Sequence, residues 1–180
     1  MFKQKKLVYS IMERKHIEDA RILHNNVTQY LTDLQHITEY QQEEWFKSIS
    51  LSKSSKRYVV EIYEDDSLKK HFCGVVRVDN IDFKNRSVMI GLDIKKEFQG
   101  IGLASKIYND VLDYAFDNVG MNRVYLKVLE TNTKALHIYE KLGFKIEGVE
   151  RQAIFRDKKF QNYICMSILK EDGAVWKNYK

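Results

Sequence analysis

Between residues 103 and 116 the apolar side chains recur with helical spacing. Ala104, Ile107, Tyr108, Val111, Leu112 and Ala115 fall on one face. Alternating apolar residues at 87–94 predict a strand just before it. The two are joined by Phe98-Gln99-Gly100-Ile101-Gly102-Leu103-Ala104. Paired glycines let the backbone turn sharply and approach a ligand with no side chain in the way. The helix that starts there offers unpaired N–H groups and the positive end of its dipole, a setting suited to phosphate. A strand-to-helix turn that merely needs glycine looks the same.

The rest of the chain can be read around that turn. Residues 7–12 predict a first strand. Ile17, Ala20, Ile22 and Leu23 predict a helix over 16–25, closed by Asn25-Asn26. Residues 27–38 have the least periodicity. Thr38 with Gln41 three residues on forms a capping box for a helix to about Ile49, with Trp45, Phe46 and Ile49 on its apolar side. A polar loop (50–56) leads into strands at 57–64 and 72–80, with charged turns at 65–70 and 79–85. Downstream come a stop at Gly120, a strand at 123–129, and a helix capped by Thr131 or Asn132 that ends at Leu142-Gly143. Strands at 144–150 and 160–169 complete the order β, α, α, three strands, α, β, α, β, β. This order predicts a mixed, mostly antiparallel sheet of six to seven strands, flanked by about four helices, in one α/β (α+β) domain over 1–170. A right-handed βαβ unit surrounds the glycine turn, and 171–180 form a tail.

Composition narrows the class. The 180 residues are 44% hydrophobic and 31% charged, as expected of a folded soluble domain. No apolar run is long enough to cross a bilayer, and no secretory h-region follows the basic N-terminus, so a cytoplasmic protein with no membrane partner is expected. Cys73 and Cys165 sit in apolar strand-like runs and read as two buried, reduced thiols. The five histidines are scattered without metal-ligand spacing, so no metal is expected. The net charge of +5 is made of 30 basic and 25 acidic residues. They are interspersed, so no nucleic-acid stripe forms, and modest positive charge also suits a ligand with several phosphates.

A second constellation lies at 132–144, Asn-Thr-Lys-Ala-Leu-His-Ile-Tyr-Glu-Lys-Leu-Gly-Phe. Asn132 and Tyr139 are about two helical turns apart and project from nearly one face. Spacing alone is met equally by a capping asparagine and a core tyrosine.

Together, Gln99-Gly-Ile-Gly-Leu-Ala and the downstream N-x-x-A-x-x-x-Y-x-x-x-G-F resemble the GCN5-related N-acetyltransferase (GNAT) superfamily. Ala153-Ile-Phe-Arg-Asp157 resembles the branch with ribosomal-protein N-terminal, spermidine and nucleotide-sugar acetyltransferases. The resemblance implies a splayed central strand pair and acetyl-CoA as cosubstrate. The pantetheine arm would pair with backbone at Leu92, Asp93 and Ile94. N–H groups of Gln99, Gly100, Ile101, Gly102, Leu103 and Ala104 would hold the pyrophosphate. Asn132 would contact the pantetheine arm or its cysteamine end. Tyr139 would stand by the sulfur as general acid, since a phenol of pKa about 10 matches a thiolate of similar basicity.

Two positions depart from the family pattern. Glu97 stands where Gln or Arg is common, so the loop is expected to act through its backbone. Met89 stands where many relatives carry a glutamate base. A water, or one of Asp33, His36, Glu39 and Glu61, is then the candidate base. The acceptor is expected to be a small-molecule amine, under the segment 26–56. Tyr30, His36 and Trp45 suit a sugar or nucleobase, whereas Asp33, Glu39, Glu43 and Glu44 suit a polyamine. The spacing of that segment resembles acetyltransferases of 4-amino nucleotide sugars, which implies such a sugar as acceptor. A protein N-terminus or a polyamine is the alternative, a non-catalytic CoA-binding module a more distant one, and a homodimer is a possible assembly.

Overall fold

The β-branched run Val59-Val60 leaves no surface exposed, because both faces of its strand are covered. That strand belongs to the first of two units seen in a computed structural model, which describes residues 6–27, 36–63 and 69–172. The first unit comprises Met1–Asp79 and Gly91–Ile101, and the second Asn80–Ile90 and Gly102–Lys180.

In the first unit, β1 (Leu7–Ile11) pairs antiparallel with β2 (Lys56–Tyr63), Ser10 opposite Val59. β2 pairs antiparallel with β3 (Lys70–Asp82), Val59 opposite Val75. A 3₁₀ turn, Arg14–His16, leads into α1 (Ile17–Val27), which is followed by α2 (Glu39–Leu51). Met12, Ile17, Ala20, Leu23, Val59, Phe72 and Val75 form one core, with Trp45 and Phe46 against it. Leu23 is 3% exposed, a burial that stabilises by about 2 kcal/mol. The capping box forms: the Gln41 N–H donates to Thr38 Oγ1 and the Thr38 N–H to Gln41 Oε1. The buried residue of α2 is polar. Gln42 donates to the Ile17 carbonyl at 3.2 Å and so ties α2 to the start of α1.

In the second unit, α3 (Leu103–Asp113) buries Leu103, Ile107, Tyr108 and Leu112. Three pairs, Ser87–Arg123 to Met89–Tyr125, join β4 (Ser87–Ile94) in parallel to β5 (Arg123–Leu129). α4 (Thr133–Leu142) is followed by the antiparallel strands β6 (Lys145–Arg156) and β7 (Lys159–Leu169), and β7 also pairs antiparallel with β5. Val124, Leu126, Met166 and Ile168 form the buried rows of β5 and β7. Among the described residues seven strands pair in the order β1-β2-β3-β4-β5-β7-β6, the mixed, mostly antiparallel sheet with four α-helices that the sequence predicts.

Several boundaries differ from expectation. α1 runs past Asn25 because that carboxamide is used elsewhere: it accepts from the Ile37 N–H at 3.0 Å and donates to the Ile37 carbonyl at 3.2 Å. β3 continues to Asp82, so the turn is only residues 83–86. The amphipathic face of α3 passes into a π turn, Tyr114–Asn118, which keeps Ala115 and Phe116 buried. β6 extends to Arg156 across an irregularity at 150–154, where Gln152 has φ 52° and its N–H donates to Asn162 Oδ1. Of the thiols, Cys73 is buried, and that burial pushes its pKa up to about 11. Cys165 is half-buried, because it lies opposite Gly148, which has no side chain to cover it. The 171–180 tail begins in a 3₁₀ turn, Lys170–Asp172, and the rest lies outside the described residues.

Candidate active site

The glycine turn follows β4 through a short 3₁₀ segment, Lys96–Phe98. The Gln99 side chain folds back, its Nε2 donating to the Ile94 carbonyl at 2.9 Å. Its backbone N–H donates to the Lys96 carbonyl at 3.1 Å. Gly100 and Gly102 have φ 76° and 83°, left-handed values that an L side chain resists. Gly102 is the N-cap of α3 and provides no side-chain cap, and residues 99–102 are exposed. The first helical hydrogen bond runs from the Lys106 N–H to the Gly102 carbonyl. Ahead of it the first-turn N–H groups of α3 have no partner along the helix. Glu97 is exposed.

On β4, the Lys95 N–H donates to the Cys73 carbonyl of β3 at 2.9 Å. The Asp93 carbonyl oxygen lies 2.2 Å from where Gly74 of β3 would carry a Cβ. Strand alternation therefore turns the backbone groups of Asp93 and Lys95 toward β3 and those of Leu92 and Ile94 to the opposite edge. The Asp93 side chain takes part in a different site. Its carboxylate holds Arg77, with Oδ2 3.0 Å from Nε and Oδ1 3.3 Å from Nη2. Gly91 leaves room for that guanidinium, since an added Cβ would meet Arg77 Nη2 at 2.8 Å.

Arg77 and Asp93 line a cavity of about 300 Å³ inside the first unit. Met12, Leu23, Trp45 and Val75 make its apolar wall, and His24, Gln42 and Arg57 add polar groups. Arg57 is paired with Asp79 at 2.8 Å and lies 5.9 Å from the centre of the Trp45 ring. Both arginines are thus charge-compensated. His24 differs: its Nε2 is buried with no hydrogen-bond partner among the described residues.

In the second unit, Asn132 is the N-cap of α4, its Oδ1 accepting from the Ala135 N–H at 3.2 Å. Tyr139, on the same helix, places its phenol oxygen 3.0 Å from that of Tyr108 on α3. The two rings meet edge to face with centroids 5.3 Å apart, and Phe144 lies 5.7 Å from Tyr139 on another side.

Residues 7–145 match the family model of the acetyltransferase (GNAT) domain. The chain belongs to the GNAT acetyltransferase family. The spermidine N(1)-acetyltransferase of Vibrio cholerae serotype O1 is 30% identical over 84% of this chain and 87% of its own length. That of Escherichia coli strain K12 is 34% identical over 64% of this chain and 59% of its own. The crystal structure of the Vibrio cholerae enzyme with CoA and spermine superposes with a TM-score of 0.85 at 28% identity, covering 92% of this chain and 96% of that one. The protein is accordingly an acetyl-CoA-dependent N-acetyltransferase.

The structure distributes this acetyltransferase's expected acceptor residues unevenly. Trp45 lines the cavity, half-buried against the core rather than presented as an open platform. His36 is exposed and does not line the cavity. Tyr30 and Asp33 lie outside the described residues. Among the other candidate bases, Glu39 is exposed and Glu61 lies 3.7 Å from Lys70 Nζ. The comparisons do not support a nucleotide-sugar acceptor and fit the polyamine alternative better. His24, Arg77 and Tyr108 were missed from sequence. A buried tyrosine on an otherwise aliphatic helix face was the available signal for Tyr108.

Proposed function

We propose that this acetyltransferase modifies a polyamine of the spermidine type, whose reacting amine enters the first unit's cavity. The observation that carries the acceptor class is the similarity to spermidine acetyltransferases along most of the chain. The cavity supports it with an apolar wall for methylene segments. The carboxylate of Glu39 adds negative charge in the first turn of α2.

In this reading N–H groups from Gly100 to Ala104 hold the pyrophosphate, and Gln99 contributes by bracing the loop. Backbone groups of Leu92 and Ile94 pair with the pantetheine arm. Asn132 spends its oxygen on the cap, which leaves its amide N–H groups for the arm. Tyr139 gives its phenol proton to the departing thiolate. Its contact with Tyr108 orients that phenol, because a hydroxyl held at 3.0 Å loses rotational freedom. The Vibrio cholerae relative has been described as a dodecamer, and a homo-oligomer is carried over on that similarity. Size-exclusion chromatography with light scattering checks it, and a monomer at micromolar concentration removes it.

The acceptor test is release of CoA thiol with spermidine, spermine, N-terminal peptides and a 4-amino nucleotide sugar. Spermidine is expected to give the highest kcat/KM. Preference for a peptide or a sugar would replace the acceptor while leaving the acetyltransferase activity intact. Tyr139→Phe is expected to lower kcat on the order of 10²-fold with little change in KM for acetyl-CoA.

A further inference from the structure

The attacking nitrogen must shed a proton as it bonds to the acetyl carbon, and β4 carries no glutamate at the position occupied by Met89. Among the described residues the cavity offers four ionisable groups, from four elements. Arg57 on β2 and Arg77 on β3 are permanently protonated and paired. Asp93 on β4 is engaged by Arg77 through both oxygens. From α2 the cavity receives the neutral Gln41, Gln42 and Trp45, and from the end of β1 Met12. The fourth group, His24 on α1, has a buried Nε2 without a partner among the described residues. Buried polar atoms are nearly always satisfied, so an orphan that lines a cavity marks a place where a ligand's donor belongs. Imidazole is the side chain that can be neutral at physiological pH and still take a proton.

We propose that His24 is the general base of the acetyl transfer, accepting the acceptor's N–H proton at Nε2. The assignment rests on the first unit's cavity being the acceptor site. The neutral amine's lone pair forms the C–N bond as the carbonyl π pair moves to oxygen. Bond formation makes the nitrogen cationic and its N–H acidic, and that proton passes to Nε2 while Nδ1 keeps its own hydrogen. The tetrahedral species collapses, the C–S bond breaks, and the sulfur takes a proton from the acid. The imidazolium returns its proton to solvent.

The test is a pH–rate profile at saturating acetyl-CoA, using whichever amine of the acceptor panel turns over fastest. Wild type should show a kcat/KM that climbs with pH along an ascending limb. His24→Gln should lose that limb and about 10²-fold in kcat, with KM for acetyl-CoA and melting temperature retained. In His24→Ala, added imidazole should restore activity in proportion to its free-base fraction. A His24→Gln enzyme within twofold of wild-type kcat and with an unchanged profile overturns the assignment. So does a His24→Ala enzyme that imidazole does not rescue. If spermidine is inert but another amine reacts, the polyamine reading fails and the His24 test proceeds with that amine. If no amine reacts, both fail.

Discussion

Gly74 of β3 sits against the Asp93–Ile94 backbone of β4, and Gly74→Ala offers a quantitative test of the packing there. The added Cβ would lie 2.2 Å from the Asp93 carbonyl oxygen and 3.1 Å from Ile94 Cα. A relaxed C···O contact is about 3.3 Å, so β4 must retreat by roughly 1 Å. Both obstructing atoms are backbone, and no rotamer change can relieve them. Overpacking of this kind costs about 1–3 kcal/mol. The retreat also stretches the 2.9 Å bond from the Lys95 N–H to the Cys73 carbonyl, worth about 1 kcal/mol. A loss of about 3 kcal/mol lowers the melting temperature of a protein this size by roughly 10 °C. Gly148→Ala is the control, because nothing lies within 4 Å of its added Cβ. It should melt within about 2 °C of wild type. Circular dichroism melts measure both. Because Leu92 and Ile94 share the displaced strand, KM for acetyl-CoA should rise in Gly74→Ala and stay level in Gly148→Ala. A Gly74→Ala protein that melts within about 2 °C of wild type would refute the reasoning.

Other changes separate the remaining contacts. Gly91→Ala pushes only on the flexible tip of Arg77, so it should cost less than about 1 kcal/mol in a melt while changing KM for the amine. Tyr108→Phe removes the 3.0 Å phenol contact and should cost about 1 kcal/mol by denaturant titration, with kcat reduced and KM for acetyl-CoA unaltered. Thr38→Ala deletes the α2 cap, an expected loss of about 1 kcal/mol in the same titration. His16 brings a pH dependence. Burial first, then the Lys15 charge, holds its pKa below the usual 6.5, and Nδ1 accepts the Glu13 N–H at 3.1 Å. Below pH 6.5 the unfolded chain takes up this proton before the folded one, so the contribution is full above that value and falls with acid. Melting temperature should decline between pH 6.5 and 5 in wild type and less in His16→Gln.

Sequence made the fold legible wherever the signal was local. Ser87–Ile94 and Arg123–Leu129 begin and end where alternation says, and Thr38, Asn132 and Gly143 mark helix ends by their own chemistry. Asn25 misled for a physical reason: a residue that favours turns also carries a carboxamide, and here Ile37 uses it from twelve positions away. The continuation of β6 was hidden because Gln152 interrupts the pleat with a left-handed residue. The cavity was least legible. His24, Arg57, Arg77 and Asp93 come from four elements, and tertiary packing of the first unit brings them together. Tyr108 was visible as a helix-face residue, but its partner is 31 positions downstream.

The first turn of α3 has a consequence of its own. A serine or aspartate at position 102 would satisfy an N–H of that turn, but the left-handed backbone there excludes an ordinary capping residue. In the proposed binding mode the diphosphate fills that role, so the cosubstrate serves as a removable piece of secondary structure. Amide exchange at residues 103–105 then reports on occupancy directly, slowing when the nucleotide is present and recovering as it leaves. This exposed loop would be more ordered in the state about to react, and the helix it opens would be complete only while a reactant is held.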